Sequence, residues 1–97
     1  MAIVALFDLP GVTQAQYDEA TRKLTGGRPM RSRSDWPVAG LISHVAAPSP
    51  EGWFVADVWE SPEAFERFGQ TLMPILGEVG MPPAEPHIVP LHNFVAS

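Results

Sequence analysis

The chain has 97 residues, a formal charge of −5 from 6 basic and 11 acidic side chains, and no cysteine. That length holds one domain, residues 1–97, and the absent cysteine rules out disulfides and thiolate metal sites and fits a reducing cytoplasm. The acidic balance argues against a nucleic-acid partner, and no apolar run is long enough for a membrane span.

Residues 3–9 are almost continuously apolar and read as a strand buried on both faces, closed by Pro10 and Gly11. No basic flank precedes them, so this segment reads as a strand and not as a signal peptide. Thr13 and Gln16 form a capping-box pattern and predict a helix with Tyr17, Ala20 and Leu24 on its inner face, ended by Gly26 and Gly27. Residues 28–39 have no usable period and contain Pro29 and Pro37, as expected of a lid or binding loop, with Trp36 folding back onto the body. Residues 40–47 and 52–60 predict a hairpin turning at Ser49 and Pro50. Ser61, Pro62 and Glu63 open a second helix with Phe65, Phe68 and Leu72 inward; Pro74 predicts a kink or a separate short helix carrying Ile75, Leu76 and Val79. Met81, Pro82 and Pro83 read as extended loop, and residues 86–95 as the last strand.

Strand, helix, hairpin, helix, strand gives an α+β, ferredoxin-like βαββαβ sheet with both helices on one face. The first and third strands are nevertheless apolar on both faces, whereas an antiparallel sheet facing water should alternate. A second copy is the simplest cover, so a homodimer is expected. An interface would also help a domain that buries only roughly 60–65% of its unfolded surface.

Polar residues within apolar strands carry the chemical signal. Asp57 is flanked by Ala56 and Val58, and burying it unpaired would cost several kcal/mol. With the turn at Ser49 and Pro50, His44 falls opposite Val55 and diagonally close to Asp57 on one face; a slip of one residue separates them. Sharing a face, Asp57 would orient the imidazole and raise its basicity, as a general base requires. A satisfied polar network is the competing reading of the same pair. His92 and Asn93 point to opposite sides of the last strand and serve either a pocket or the dimer contact. Tyr17 either offers its hydroxyl to a ligand or caps the core. His44, His92 and Asp57 have the composition of a two-histidine, one-carboxylate centre but no recognised spacing, so no metal is expected. Arg22, Lys23, Arg28, Arg31 and Arg33 cluster in sequence, either as a solvated surface or as a local attraction for an anionic small molecule. Phosphate-loop, nucleophile and dinucleotide motifs are absent.

The run from Gly52 to Ser61, GWFVADVWES, followed by Glu63, Ala64 and Phe65, resembles the dimeric α/β-barrel superfamily that includes the antibiotic-biosynthesis monooxygenases. LISHVA at 41–46 and VPLHN at 89–93 resemble a group of short bacterial members. The likeness spans the chain and implies the fold. It also implies a candidate activity, oxygenation of phenolic polyketides without a cofactor. Quinone-forming members place an asparagine, a tryptophan, a tyrosine and an arginine near substrate; Trp59 matches the tryptophan, and Asn93 lies off the usual asparagine position. Haem-degrading members are similar in fold but use a first-strand asparagine and a second-helix histidine, where this chain offers only Asp8 and no histidine.

The expectation is therefore a homodimeric small-molecule-binding domain with no cofactor. Its pocket between helices and sheet is lined by Tyr17, Trp36, His44, Asp57, Trp59 and Phe65, with His92 or Asn93 near a developing oxyanion. His44, backed by Asp57, would take a proton from a phenol or enol. The rival is a non-catalytic ligand-binding or accessory homodimer, and a packed interior without a cavity would favour it.

Overall fold

A computed structural model describes residues 1–81 and 85–96. Its elements are β1 (Ile3–Pro10), α1 (Gln14–Thr25), a short 3-10 turn (Arg33–Asp35), β2 (Leu41–Ser49), β3 (Gly52–Trp59), α2 (Pro62–Glu78) and β4 (His87–Pro90). The strands form one antiparallel sheet in the order β2-β3-β1-β4. This is the ferredoxin-like arrangement, reached because each helix must cross over the sheet between strands.

Local chemistry sets the boundaries. The Thr13 backbone N–H donates to Gln16 Oε1 at 3.1 Å and Gln16 N–H donates back to Thr13 Oγ1 at 3.2 Å, closing the capping box of α1. Gly26 ends the helix in the left-handed region at φ 69°. Ser61 Oγ accepts from Ala64 N–H at 3.1 Å, and Pro62 occupies the first helical turn of α2.

Two expectations about boundaries need correction. α2 is a single helix running through Pro74, so of the two alternatives there the separate short helix falls. Continuity puts Phe68, Leu72 and Leu76 on one stripe against the core. Each such side chain contributes roughly 1.5–3 kcal/mol on burial, which together outweighs the ~3 kcal/mol of a proline in a helix interior. The last strand stops at Pro90 and does not continue to residue 95. Its partner β1 begins at Ile3, opposite Pro90, and after one more bond from Leu91 N–H to the Ala2 carbonyl no strand remains to pair with. Of the loop expected after α2, Pro82 and Pro83 lie outside the described residues.

The core lies between helices and sheet. Ile3, Ala5 and Phe7 of β1 and Trp53, Val55 and Trp59 of β3 face it, with Ala64, Phe68 and Leu76 above. Trp59 is fully buried, its ring 5.0 Å from that of Phe68 and 6.0 Å from that of Phe65. Its Nε1 has no partner among the described residues. Burying an aromatic of this size is worth about 4–6 kcal/mol by area, more than the ~1–3 kcal/mol of an unmet donor, so the ring stays inside.

Alternation sends Val4, Leu6, Phe54, Ala56, Val58, Val45 and Val89 to the opposite sheet face. Neither helix covers that face, and Val45 on it is 55% exposed.

Candidate functional site

The hairpin brings His44 and Asp57 together. Ser49 pairs with Gly52, so the turn lies at Pro50 and Glu51, and His44 stands directly opposite Asp57 instead of Val55. The expected register is off by two residues, and a shift of two preserves the face. Gly52 permits the tight approach to β1, since a Cβ there would collide with the Leu9 carbonyl oxygen. On its other side Asp57 pairs with Ala5, whose methyl leaves room beneath the helices.

Asp57 is 1% exposed and its Oδ1 lies 2.5 Å from His44 Nδ1. Tyr17, reaching down from α1, places its hydroxyl 2.6 Å from His44 Nε2. The tautomer follows from the partners: a carboxylate oxygen accepts only, so Nδ1 carries the hydrogen and donates to Asp57. With the imidazole neutral, Nε2 is a lone pair and the Tyr17 O–H donates to it. The result is a directed chain, Tyr17 to His44 to Asp57. Burial, then the negative charge of Asp57 and then that of Asp18, pushes the Tyr17 hydroxyl up to about 12 from its ordinary 10.0.

Aromatic rings hold the imidazole. Trp36 meets it edge-on at 4.8 Å and 77°, and Trp36 in turn packs edge-on against Phe68 at 5.2 Å. Trp53 lies 5.3 Å from Tyr17. Trp36 does fold back, as expected: it is 9% exposed, at the end of a turn held by the Asp35 carboxylate, which accepts from the Arg31 and Ser32 N–H groups at 3.0 Å each.

An inner cavity of about 60 Å³ opens beside this chain, lined by Tyr17, His44, Asp57 and Thr21 among otherwise apolar walls from Phe7, Val55, Phe68, Leu72, Leu76 and Met81. An outer cavity of about 190 Å³ lies across Trp36 and His44, walled by Met30, Arg31, Ser32, Arg33 and Leu41. Two of the clustered cations are engaged elsewhere: Arg22 pairs with Glu19, and Lys23 lies 3.8 Å from Glu78.

Of the eight residues singled out in the sequence, Tyr17, Trp36, His44 and Asp57 gather around the inner cavity. Trp59 and Phe65 pack beside them in the core and do not line it. His92 and Asn93 are exposed beyond the end of β4, outside both cavities. Among the described residues no three His, Asp or Glu side chains gather as a metal site, and no helix is long and apolar enough to cross a membrane. Sequence reasoning missed Thr21, Phe68, Leu72, Leu76 and Met81 as cavity walls. Thr21 lies one helical turn from Tyr17, and Phe68, Leu72 and Leu76 share the stripe of α2, so the spacing carried the signal once both helices are known to cover the same face.

Two helices over one face of this four-stranded sheet give a ferredoxin-like fold that is shared with solved monooxygenase structures. The chain is similar to SnoaB, a cofactor-independent oxygenase from Streptomyces nogalater, with a TM-score of 0.57 and 13% identity over 99% of this chain and 96% of that one. It is equally similar in shape to a "putative monooxygenase" from Shewanella loihica PV-4, with a TM-score of 0.57 and 19% identity over 97% of this chain and 99% of that one. No family model and no curated protein matches the sequence. At these identities the likeness carries the fold and no residue role.

Proposed function

We propose that this domain binds a small hydroxylated aromatic or polyketide-like molecule and works as a homodimer, with cofactor-independent oxygenation as its candidate reaction. The observation that carries this reading is a hydrogen-bonded Tyr17–His44–Asp57 chain on the wall of an otherwise apolar cavity. Apolar walls favour a ring, and a base in a dry site favours removal of one proton from a phenol or enol. The imidazolium that forms is held beside the Asp57 carboxylate. The electron-rich anion can then reduce dioxygen itself, one oxygen atom entering the ring system and the other leaving as water. The fold shared with SnoaB supports this choice among base-assisted reactions. The test is oxygen uptake with 1-naphthol, whose conversion to the quinone consumes one dioxygen and releases one water. Uptake with ¹⁸O entering the product is expected, and its loss in His44→Gln would tie it to the imidazole; equal turnover by that variant overturns the mechanism.

A non-catalytic ligand-binding homodimer is the second reading. It is favoured by the small inner cavity and by the hydrogen bonds that Tyr17, His44 and Asp57 make to one another. Binding of 1-naphthol without oxygen uptake would select it. The dimer rests on the apolar face of Val4, Leu6, Phe54, Ala56 and Val45, which the helices leave open. Sedimentation at micromolar concentration should give two copies, and Leu6→Asp should give one; a wild-type monomer refutes the assembly.

A further inference from the structure

We propose that Tyr17 is the residue that touches the acidic hydroxyl of the ligand, receiving its proton while passing its own hydroxyl proton to His44 Nε2. This deepens the base reading above and rests on it. In this arrangement both nitrogens of the imidazole are already engaged, which disfavours the simpler route in which the ligand takes its place on His44 directly. Nδ1 is taken by Asp57 at 2.5 Å, Nε2 by the Tyr17 hydroxyl at 2.6 Å, and the edge of Trp36 packs against the ring at 4.8 Å. A ligand in the inner cavity therefore meets the basicity of His44 only through the tyrosine oxygen. That oxygen donates its single hydrogen to Nε2 and keeps lone pairs for an incoming O–H.

The transfer balances. The O–H bond of the ligand breaks and a new O–H forms on Tyr17, while the original Tyr17 O–H breaks and an N–H forms at Nε2. The products are a ligand anion and an imidazolium paired with the unchanged Asp57 carboxylate. Tyr17 stays neutral before and after, consistent with a buried hydroxyl pushed up to about 12 that is disfavoured as a standing phenolate. The class of ligand follows: one acidic phenol or enol hydroxyl on an apolar body, because among the described residues Thr21 and the indole of Trp36 are the only further polar side chains on the cavity wall.

The test uses 4-nitrophenol, whose anion absorbs in the visible and whose neutral form does not, at a pH one unit below its own pKa. Wild type should bind it largely as the anion. Tyr17→Phe should bind it with similar affinity but neutral, the ionised-to-neutral ratio falling at least about tenfold, one pKa unit. Tyr17→Phe holding the anion as wild type does overturns the relay and leaves His44 as a direct base. A wild type that binds only the neutral form, or nothing, overturns both readings. Tyr17 is the only tyrosine in the chain, so wild-type protein carrying ¹³Cζ-tyrosine gives one resonance, even if Tyr17→Phe folds poorly. It should shift when 4-nitrophenol binds; an unmoved signal overturns the relay.

Discussion

Replacing His44 with leucine tests the energetics on which the site depends. Leucine matches the imidazole roughly in volume, so the change opens little cavity and removes chiefly the partner of a buried carboxylate. Asp57 is 1% exposed and receives its hydrogen bond from His44 Nδ1. Breaking a buried pair by deleting one member costs about 3–5 kcal/mol. For a domain of this size each kcal/mol moves Tm by roughly 4–8 °C, so a fall of at least about 12 °C is expected. The double variant His44→Leu/Asp57→Val replaces both members with apolar groups like the neighbouring Val55. Its stability should return to within about 1 kcal/mol of wild type, since removing a buried pair whole is often neutral or stabilising. The Tyr17 hydroxyl, half-buried on the cavity wall, turns to water in both variants. Urea unfolding followed by circular dichroism gives the full cycle with Asp57→Val alone. His44→Leu within about 1 kcal/mol of wild type, or a double variant as weak as the single one, would refute the buried-charge argument.

Three further outcomes follow from the structure. Absorbance near the tyrosinate band should show Tyr17 titrating at about 12, not at 10.0. Because the folded value lies above the unfolded one, the stability it contributes is complete below pH 10 and is lost as pH rises towards 12; urea midpoints across that range check the sign. Gly40→Ala should lower stability by about 1–3 kcal/mol, measured by thermal melting, because Gly40 sits at φ 112° and a Cβ there would lie 2.5 Å from that of Ala64. Trp36→Ala should cost about 3–5 kcal/mol, since its ring packs on both His44 and Phe68; a loss under about 1 kcal/mol would mean that the ring is not part of the core.

The fold was legible because its signals are local or periodic. Thr13 with Gln16, Gly26, and Ser61 with Pro62 each fix a helix end through neighbouring atoms, and the hairpin is confined between two short apolar runs. The pairing of His44 with Asp57 was legible for a related reason: an error of two residues in the turn leaves both on one face. What the sequence hid depends on distance along the chain. Tyr17 is 27 residues from His44, and nothing local states where α1 crosses β2, so the bond to Nε2 emerges only from packing. Trp59 and Phe65 read as pocket walls because aromatics serve cores and pockets alike. The early end of β4 was hidden because it is set by where β1 begins and not by residues 91–95 themselves.

Cavity size divides the site into two parts with separate duties. A closed apolar cavity of roughly 150 Å³ admits a benzene ring, and the inner space beside Tyr17 is about 60 Å³ and open to solvent on one side. A ring sits fully inside it only if a wall yields. The sheet wall, Phe7 and Val55, is held by strands paired on both sides, and Phe68, Leu72 and Leu76 belong to a helix of 17 residues. The wall with the least backbone support is Trp36, carried on a single 3-10 turn that the Asp35 carboxylate secures. Outward movement of Trp36 would join the inner cavity to the 190 Å³ outer one, where Arg31 and Arg33 lie. The proton chain is built on α1 and the hairpin, and Trp36 on residues 30–38; because the Trp36 ring packs edge-on against His44 at 4.8 Å, a change in that segment would reach the imidazole as well as the cavity mouth.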